Sequence, residues 1–402
     1  MGRKPAALAA PAVMRAAPVM LTITQVFTLL GRRDDILAPL SVWLGALTPP
    51  EGQTKVGHRP LKNLLVGRDG RLGQGRCPSR TFEKACGRPP RLAVMKVRIG
   101  FGLGTQVPAD GAGELAELVD SLEDLGFDSL WLSERATGVA PDPLVALAVA
   151  AGRTRRLKLG TSVLVLPGRN PVLLAKQLAS LDRLSDGRLL PAVGLGVADP
   201  GEQQAFGVAR GERAAWFDEA LPLIRRLWSG EPVDHDGPRF HYRGVRVLPT
   251  PRQQPPDVWL GGIAPSELAR VGRLGDGWLP SFVRPADAGA GREAIERAAA
   301  QAGRAIDAEH WGALVIYAPQ GLPDRLAQLI AARRPGVAPE ELVPVGLDGL
   351  RRQLEAFVAV GVSKLVVVPA MAGPGTSWRK ELEALAAAVL PMQGEPLTSL
   401  AG

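Results

Sequence analysis

Cysteine and histidine are scarce in this chain of 402 residues, which holds two cysteines and four histidines. Cys77 and Cys86 stand alone, and no cysteine follows residue 86. The rest of the chain therefore cannot form a disulfide framework or a cysteine-ligated metal centre. Because a zinc site needs several cysteines or histidines at close spacing, we expect no metal site.

Long apolar runs are also absent, since no stretch of 18 apolar residues occurs. We therefore expect no membrane-spanning helix and no membrane partner. The least polar stretch near the start, residues 16–30, is interrupted by threonine and glutamine and does not read as a secretory signal. With 46% hydrophobic and 22% charged residues, the composition excludes wholesale disorder. We expect a cytoplasmic protein.

Acidic residues are scarce relative to basic ones only in residues 1–94. Residues 1–94 carry 15 Lys and Arg against 5 Asp and Glu, whereas the remaining residues carry 33 against 35. The nearly neutral remainder argues against nucleic acid as a partner. Residues 1–94 lack helical or strand periodicity, and we expect a poorly structured extension or sequence upstream of a true start at Met95. Residues 396–402 are expected to form a short tail.

From Met95 onward, short apolar segments alternate with amphipathic helical patterns. The eight predicted strands are 97–102, 129–133, 157–166, 188–194, 258–261, 277–281, 312–318 and 364–369. Eight such units over 95–395 predict a (β/α)8 TIM barrel, with residues 230–256 as an insertion after the fourth helix. A doubly wound sheet is the competing fold. It is disfavoured because no Gly-x-Gly-x-x-Gly opens the first helix and no Walker loop occurs.

The predicted strand ends are rich in glycine and poor in acid–base groups. In a barrel of this kind the active site forms at the carboxyl ends of the strands. The histidines of the barrel region, His235, His241 and His310, fall at none of these ends. The strand ends therefore lack the histidine that a serine–histidine–aspartate triad or a histidine-rich metal site requires. Glycines that let a large ligand approach the backbone indicate that a bound cofactor carries the chemistry.

Several ordered motifs resemble the bacterial luciferase-like family, most specifically its coenzyme F420-dependent branch. The motifs are GFDSLWLSE at 126–134, LGTSVLVLP at 159–167, PVLLAKQLASLDRLSDGR at 171–188, AFG at 205–207, FDEA at 217–220, LWSG at 227–230, WLGG at 259–262 and LGDGW at 274–278. The resemblance spans nearly all of residues 95–390. It implies a TIM barrel with coenzyme F420, or alternatively FMN, lying across the mouth.

The resemblance also implies which residues bind the cofactor. A non-proline cis peptide bond is expected at Ser162–Val163, where it would back the central ring of the cofactor. The loop after the fourth strand, Gly194, Leu195 and Gly196, would contact the cofactor. Its tail phosphate would be held by backbone amides at a helix amino end. The residues matching that site are Gly261, Gly262, Ile263 and Ala264.

Glu134 and Arg135 are the candidate catalytic residues. Glu134 stands where deazaflavin relatives usually have Asp, near the pyrimidine end of the ring, and could orient the ring or accept a proton. Arg135 could stabilise negative charge that develops on the reduced ring. The alternatives are that Glu134 caps a strand end and that Arg135 forms an ion pair with it.

Two departures from the sugar-phosphate dehydrogenase branch bear on the substrate. That branch has His directly after the acid, where this chain has Arg135, and an acid at the position of Val197, so the acid–base pair for sugar oxidation is missing. Ser281 and Arg284 match positions that grip the substrate phosphate in that branch, which leaves an anionic substrate open.

We expect a hydride-transferring oxidoreductase that uses coenzyme F420 and a small organic substrate. The alternatives are an FMN-dependent monooxygenase that activates dioxygen and a non-catalytic deazaflavin-binding protein. The resemblance further implies a homodimer.

Overall fold

The computed structural model describes residues 96–105, 112–370 and 377–394. The predicted extension 1–94 and the predicted tail 396–402 lie outside the described residues. In the described ranges, no helix is long and apolar enough to cross a membrane.

Twelve β-strands are assigned within these described ranges. They are β1 Arg98–Gly102, β2 Ser129–Leu132, β3 Lys158–Thr161, β4 Leu164–Val165, β5 Leu189–Leu190, β6 Ala192–Gly194, β7 Val233–Asp236, β8 His241–Val245, β9 Trp259–Leu260, β10 Gly277–Trp278, β11 Gly312–Tyr317 and β12 Lys364–Pro369. All except β7 and β8 pair in parallel. The exception is an antiparallel hairpin within the predicted insertion 230–256.

The parallel strands form two sheets that join into one closed barrel. One sheet has the order β11-β12-β1-β2-β3-β5, and the other has the order β10-β9-β6-β4. At one seam, β4 continues the course of β3 and β6 continues that of β5. At the other seam, bridges between Trp278 and Trp311 and between Ser281 and Leu314 connect β10 to β11. The predicted (β/α)8 barrel is confirmed.

The helices follow the strands in alternation and cover the outside of the barrel. They are α1 Ala112–Leu125, α2 Pro143–Arg153, α3 Pro171–Leu184, α4 Pro200–Phe206, α5 Arg213–Leu227, α6 Pro265–Leu274, α7 Pro285–Gln301, α8 Asp324–Arg333, α9 Pro339–Leu342, α10 Gly346–Ala359 and α11 Trp378–Val389. The amino end of α3 shows why a helix starts where the sequence predicts it. The Asn170 side chain accepts from the amides of Val172 and Leu173 at 2.9 and 3.2 Å, and Pro171 needs no amide partner there.

The prediction of unbroken third and fourth strands was wrong. Pro191 separates β5 from β6, because proline lacks the amide hydrogen that a ladder needs. The Thr161 hydroxyl bonds the neighbouring residue instead: it accepts from the Ala192 amide at 2.9 Å and donates to the Ala192 carbonyl at 2.7 Å. Between β3 and β4, the Ser162–Val163 peptide bond is cis, as the resemblance implied.

Apolar side chains fill the barrel interior below its carboxyl-end mouth. Trp131 and Trp259 meet edge to face, with ring centroids 6.4 Å apart, and pack with Leu279, Val366 and Val368. The indole nitrogen of Trp131 donates to the Ser129 hydroxyl at 2.9 Å. This packed floor leaves the mouth as the place for a ligand.

Candidate functional site

A cavity of about 420 Å³ opens at the carboxyl ends of the barrel strands. This volume lies within the range of small-molecule sites, about 300–1,000 Å³. Eleven of the predicted site residues line it: Glu134, Arg135, Ser162, Val163, Gly194, Leu195, Gly196, Gly261, Gly262, Ile263 and Ser281. Ala264 and Arg284, which sequence analysis also predicted, are not among the lining residues.

Glu134 is nearly buried, and both of its carboxylate oxygens are engaged. Oε2 accepts from the Val165 amide at 2.6 Å, and Oε1 forms an ion pair with Arg169. Burial raises the pKa of Glu134, although Arg169 and the Val165 amide oppose that shift. Contacts with Val165 in β4 and with Arg169 in the loop between β4 and α3 therefore hold the Glu134 side chain in one position at the cavity.

Arg135 does not pair with Glu134, contrary to the alternative drawn from the sequence. Its Nε lies 3.2 Å from Oε1 of Glu202, a residue of α4. Glu202 is buried and also accepts from the amides of Ala136 and Thr137 at 3.1 and 2.9 Å. Burial raises the pKa of Glu202, but these hydrogen bonds outweigh burial and lower it. A buried anion therefore anchors Arg135 at the cavity wall.

The bulge between β3 and β4 approaches the loop after β6 very closely. A Cβ atom added at Gly194 would lie 2.6 Å from Cγ2 of Val163, so only glycine allows this approach. The Ser133 hydroxyl donates to the Ser162 carbonyl at 2.8 Å, and the Glu134 amide donates to the Val163 carbonyl at 3.2 Å. These contacts present Val163 as a rigid apolar surface inside the cavity.

Two backbone amides at the amino end of α6 form a cradle for an anion. The amides of Ile263 and Ala264 both donate to Oε2 of Glu267, each at 2.9 Å. Gly262 adopts a φ of +99°, and a Cβ atom there would lie 2.7 Å from the Glu267 side chain. The predicted phosphate site thus has the right donors, and a carboxylate of the chain already engages them.

Arg284 does not line the cavity and takes part in a structural network. Its Nη2 lies 3.0 Å from Asp287 and its Nη1 lies 3.2 Å from Glu341. Arg334 pairs with Asp287 at 2.9 Å and donates to the Phe282 carbonyl at 2.5 Å. Burial raises the pKa of Asp287, but hydrogen bonds from the two arginines outweigh it and lower the pKa to about 2. The network fixes the loop that carries Ser281 and Phe282.

Sequence reasoning missed five charged residues that shape the cavity: Arg169, Glu202, Glu267, Arg270 and Arg333. Glu267 had a readable signal, because an acid three residues after a helix start suits a capping box. Arg333 lines the cavity from α8, and the sequence pattern did not mark it. Arg169 and Glu202 act through contacts with residues 35 and 67 positions away along the chain, which no local pattern reveals.

The lining residues fit a large, partly anionic ligand better than they fit direct acid–base catalysis. No histidine lines the cavity, and the described residues contain no cluster of three or more His, Cys, Asp or Glu that could hold a metal ion. The amide pair of the cradle suits a phosphate. Glycines 194 and 261 let the backbone lie close to Val163 and add no side chain of their own to the cavity. The cavity therefore fits the deazaflavin or flavin that the resemblance implied.

Comparison with known proteins agrees with this geometry. A sequence profile described as luciferase-like monooxygenase matches residues 94–333. An F420-dependent glucose-6-phosphate dehydrogenase from Kineococcus radiotolerans is 34% identical over 177 residues, which are 42% of this chain and 52% of that protein. A phthiodiolone/phenolphthiodiolone dimycocerosates ketoreductase from Mycobacterium kansasii is 31% identical over 207 residues, 44% of this chain and 56% of that protein. The chain thus spans about half the length of these curated relatives.

A solved structure shares the fold over the whole barrel. The monooxygenase RslO1 from Streptomyces bottropensis has a TM-score of 0.62 and 25% sequence identity. The match covers 73% of this chain and 99% of that protein. The similarity therefore extends across the barrel and its mouth.

Proposed function

The chain belongs to the luciferase-like monooxygenase family, and from that membership we propose that it is an oxidoreductase that transfers a hydride between coenzyme F420 and a small organic substrate. The single observation that carries the proposal is the composition of the cavity. It joins an amide cradle for a phosphate to a glycine-lined slot, and no histidine lines it within the described ranges. Two relatives with F420 or ketoreductase activity in their names support the same reading.

The bound deazaflavin would supply the hydride chemistry, and the protein would supply position and electrostatics. Val163 and Gly194 would support one face of the ring. The amides of Ile263 and Ala264 would hold the phosphate. Arg135, anchored by Glu202, would place positive charge at the cavity wall, where negative charge on a reduced ring is stabilised. Glu134 would orient the ring edge, since Arg169 and the Val165 amide already hold its oxygens.

Glucose-6-phosphate is a poor candidate for the substrate. Arg135 replaces the histidine of the sugar-phosphate branch, and Arg284, the predicted phosphate contact, is tied to Asp287 and Glu341 outside the cavity. A different organic substrate fits the lining better. A homodimer and a cytoplasmic location belong to the same proposal, and sedimentation of the purified protein tests the former.

A fluorescence titration of the full-length protein tests the cofactor. Trp131 and Trp259 lie directly below the cavity, so we expect bound cofactor to quench tryptophan emission. Coenzyme F420 should bind more tightly than FMN. A folded protein that binds neither cofactor contradicts the proposal.

The second candidate is an FMN-dependent monooxygenase, which the monooxygenase among the solved structures favours. Preference for FMN over F420, together with oxygen uptake in the presence of reduced FMN, would select it. A third outcome, tight F420 binding without turnover over a broad substrate panel, would point to a deazaflavin-binding protein.

A further inference from the structure

The cavity has a second wall, which begins next to the cradle on the strand paired with β9 and which none of the cofactor contacts above uses. This wall is formed by the loop after β10, by β11, by α8 and by the end of β12. Its apolar lining residues are Leu279, Phe282, Leu314, Ile316, Leu326, Leu329, Val368, Pro369 and Ala370. Its polar lining residues are Ser281 and Arg333, and among the residues that the structure describes no carboxylate on this wall lines the cavity.

Helix α8 presents one face to the cavity. Leu326, Leu329 and Arg333 are spaced three and four residues apart, so they lie on the same side of the helix. Leu329 is 50% exposed, which is high for a leucine in a helix that packs against a barrel. Leu329 continues the apolar lining named above to the cavity edge, so the wall offers a contiguous apolar surface that a ligand can cover.

Charged residues of the cavity differ in whether their charge is already balanced. Glu134 pairs with Arg169, Arg135 with Glu202, and Arg270 with Asp218 at 2.6 Å, while Glu267 accepts from two backbone amides. Arg333 has a different environment. Its guanidinium lies 5.2 Å from the ring centroid of Phe282, and no carboxylate of the described residues lies within 4.0 Å of it.

Phe282 is held in an unusual conformation that places it next to Arg333. Its φ is +56°, which is rare for an aromatic residue. Arg334 holds the Phe282 carbonyl, and Asp287 accepts from the Arg284 amide at 3.1 Å. A ring fixed in this way restricts the Arg333 guanidinium by a cation–π contact while leaving its N–H groups available.

We propose that this wall binds the substrate, and that the substrate is an organic anion: an aliphatic body that covers Leu326, Leu329 and Phe282, with a carboxylate at the end near Arg333. An arginine presents paired N–H donors that match a carboxylate. The apolar wall excludes a strongly hydrated sugar phosphate as the best fit. The substrate class rests on the proposed function, but the binding of the anion does not require the cofactor.

Octanoate and the uncharged octanamide are the probes, titrated calorimetrically against the full-length protein without cofactor. We expect octanoate to bind at least about tenfold more tightly than octanamide, because only the carboxylate can pair with the arginine. Arg333→Gln should abolish that ratio and leave octanamide binding unchanged. Arg325→Gln is the matched control, since Arg325 lies on the same helix, is exposed and does not line the cavity. It should retain the ratio.

Leu329→Ala provides a second, independent measurement. It should weaken both probes by a similar factor, because it removes apolar contact and leaves the charge in place. Equal affinity of the two probes for the wild type, binding of neither probe, or equal effects of the variants at 333 and 325 would each overturn the proposal. If the fluorescence titration shows F420 binding while octanoate and octanamide bind alike, the proposed function stands and this substrate class falls. If octanoate is selected but no cofactor binds, the anion-binding wall stands and the proposed function falls.

Discussion

Replacing Glu267 by glutamine should strengthen the binding of a phosphate-bearing cofactor. Glu267 now uses one carboxylate oxygen to accept from the amides of Ile263 and Ala264, each at 2.9 Å. A ligand phosphate needs the same two donors, so it must displace this carboxylate. Glu267→Gln keeps the size of the side chain, removes its charge and leaves a weaker acceptor.

The expected gain in affinity follows from two contributions. A hydrogen bond to a charged group contributes about 1.5–3 kcal/mol net, and one to a neutral group about 0.5–1.5 kcal/mol, so the glutamine is easier to displace by about 1 kcal/mol. Repulsion between the displaced carboxylate and the phosphate adds to this. At roughly 5 Å and an effective dielectric constant of about 20 it amounts to about 3 kcal/mol, an upper bound that solvent at the half-exposed mouth reduces. A total of about 1–2 kcal/mol corresponds to an affinity gain of about fivefold to thirtyfold.

Comparing coenzyme F420 with its phosphate-free deazariboflavin core isolates the phosphate contribution. Fluorescence titration should show that Glu267→Gln raises the affinity for F420 and leaves the affinity for the core unchanged. The weaker cap should lower the free energy of unfolding by about 0.5–1 kcal/mol, measured by urea denaturation.

Glu341→Gln is the control for weakening the hydrogen bond that caps a helix start. Glu341 stands at the equivalent position of α9, where its Oε1 accepts from the Ala338 amide at 3.1 Å, and it does not line the cofactor cavity. This variant should lose stability both from its cap and from its ion pair with Arg284, and it should change neither affinity. The reasoning would be refuted if Glu267→Gln lowered F420 affinity, or if it changed F420 and core affinity by the same factor. Either result would mean that the phosphate does not compete for these amides.

Three further variants test other contacts. Asp287→Asn should cost about 2 kcal/mol of stability at neutral pH, because the folded-state pKa of Asp287 is lowered from 3.8 to about 2; this stabilisation is present above pH 4 and is lost as the pH falls towards 2, so wild type and variant should converge there in urea unfolding curves. Arg169→Gln removes the counter-ion of Glu134, further raises the pKa of that carboxyl, and should move the pH midpoint of F420 binding upward. An unchanged midpoint would show that Glu134 has no influence on the ring. Gly194→Ala places a Cβ atom 2.6 Å from Val163 and should cost about 1–3 kcal/mol in thermal or urea unfolding, together with weaker cofactor binding. Full stability of this variant would mean that the bulge can move aside.

Local patterns along the chain were enough to predict the barrel. Apolar alternation and helix-start signals such as Asn170-Pro171 depend on neighbouring residues alone, so the order of strands and helices followed from them. The same patterns could not show that the third and fourth strands each break in two. That break depends on how Pro191 and Thr161 meet across two strands.

The candidate site shows the same difference between local features, which the sequence reveals, and contacts between distant residues, which it does not reveal. Glycines and small residues at strand ends are local features, and eleven of the predicted residues do line the cavity. Arg284 does not line the cavity, and its position along the chain could not show that Asp287, three residues later, and the distant Glu341 would pair with its guanidinium.

Amino-acid order by itself determined the periodicity, and with it the barrel and the glycine-rich mouth, because backbone preference and amphipathic spacing act over a few residues. The tertiary structure alone determined which charges are balanced and which are available to a ligand. Glu134 with Arg169 and Arg135 with Glu202 are paired across loops, whereas Arg333 faces the cavity beside Phe282. Ion pairing depends on distances between side chains that only the closed barrel brings together.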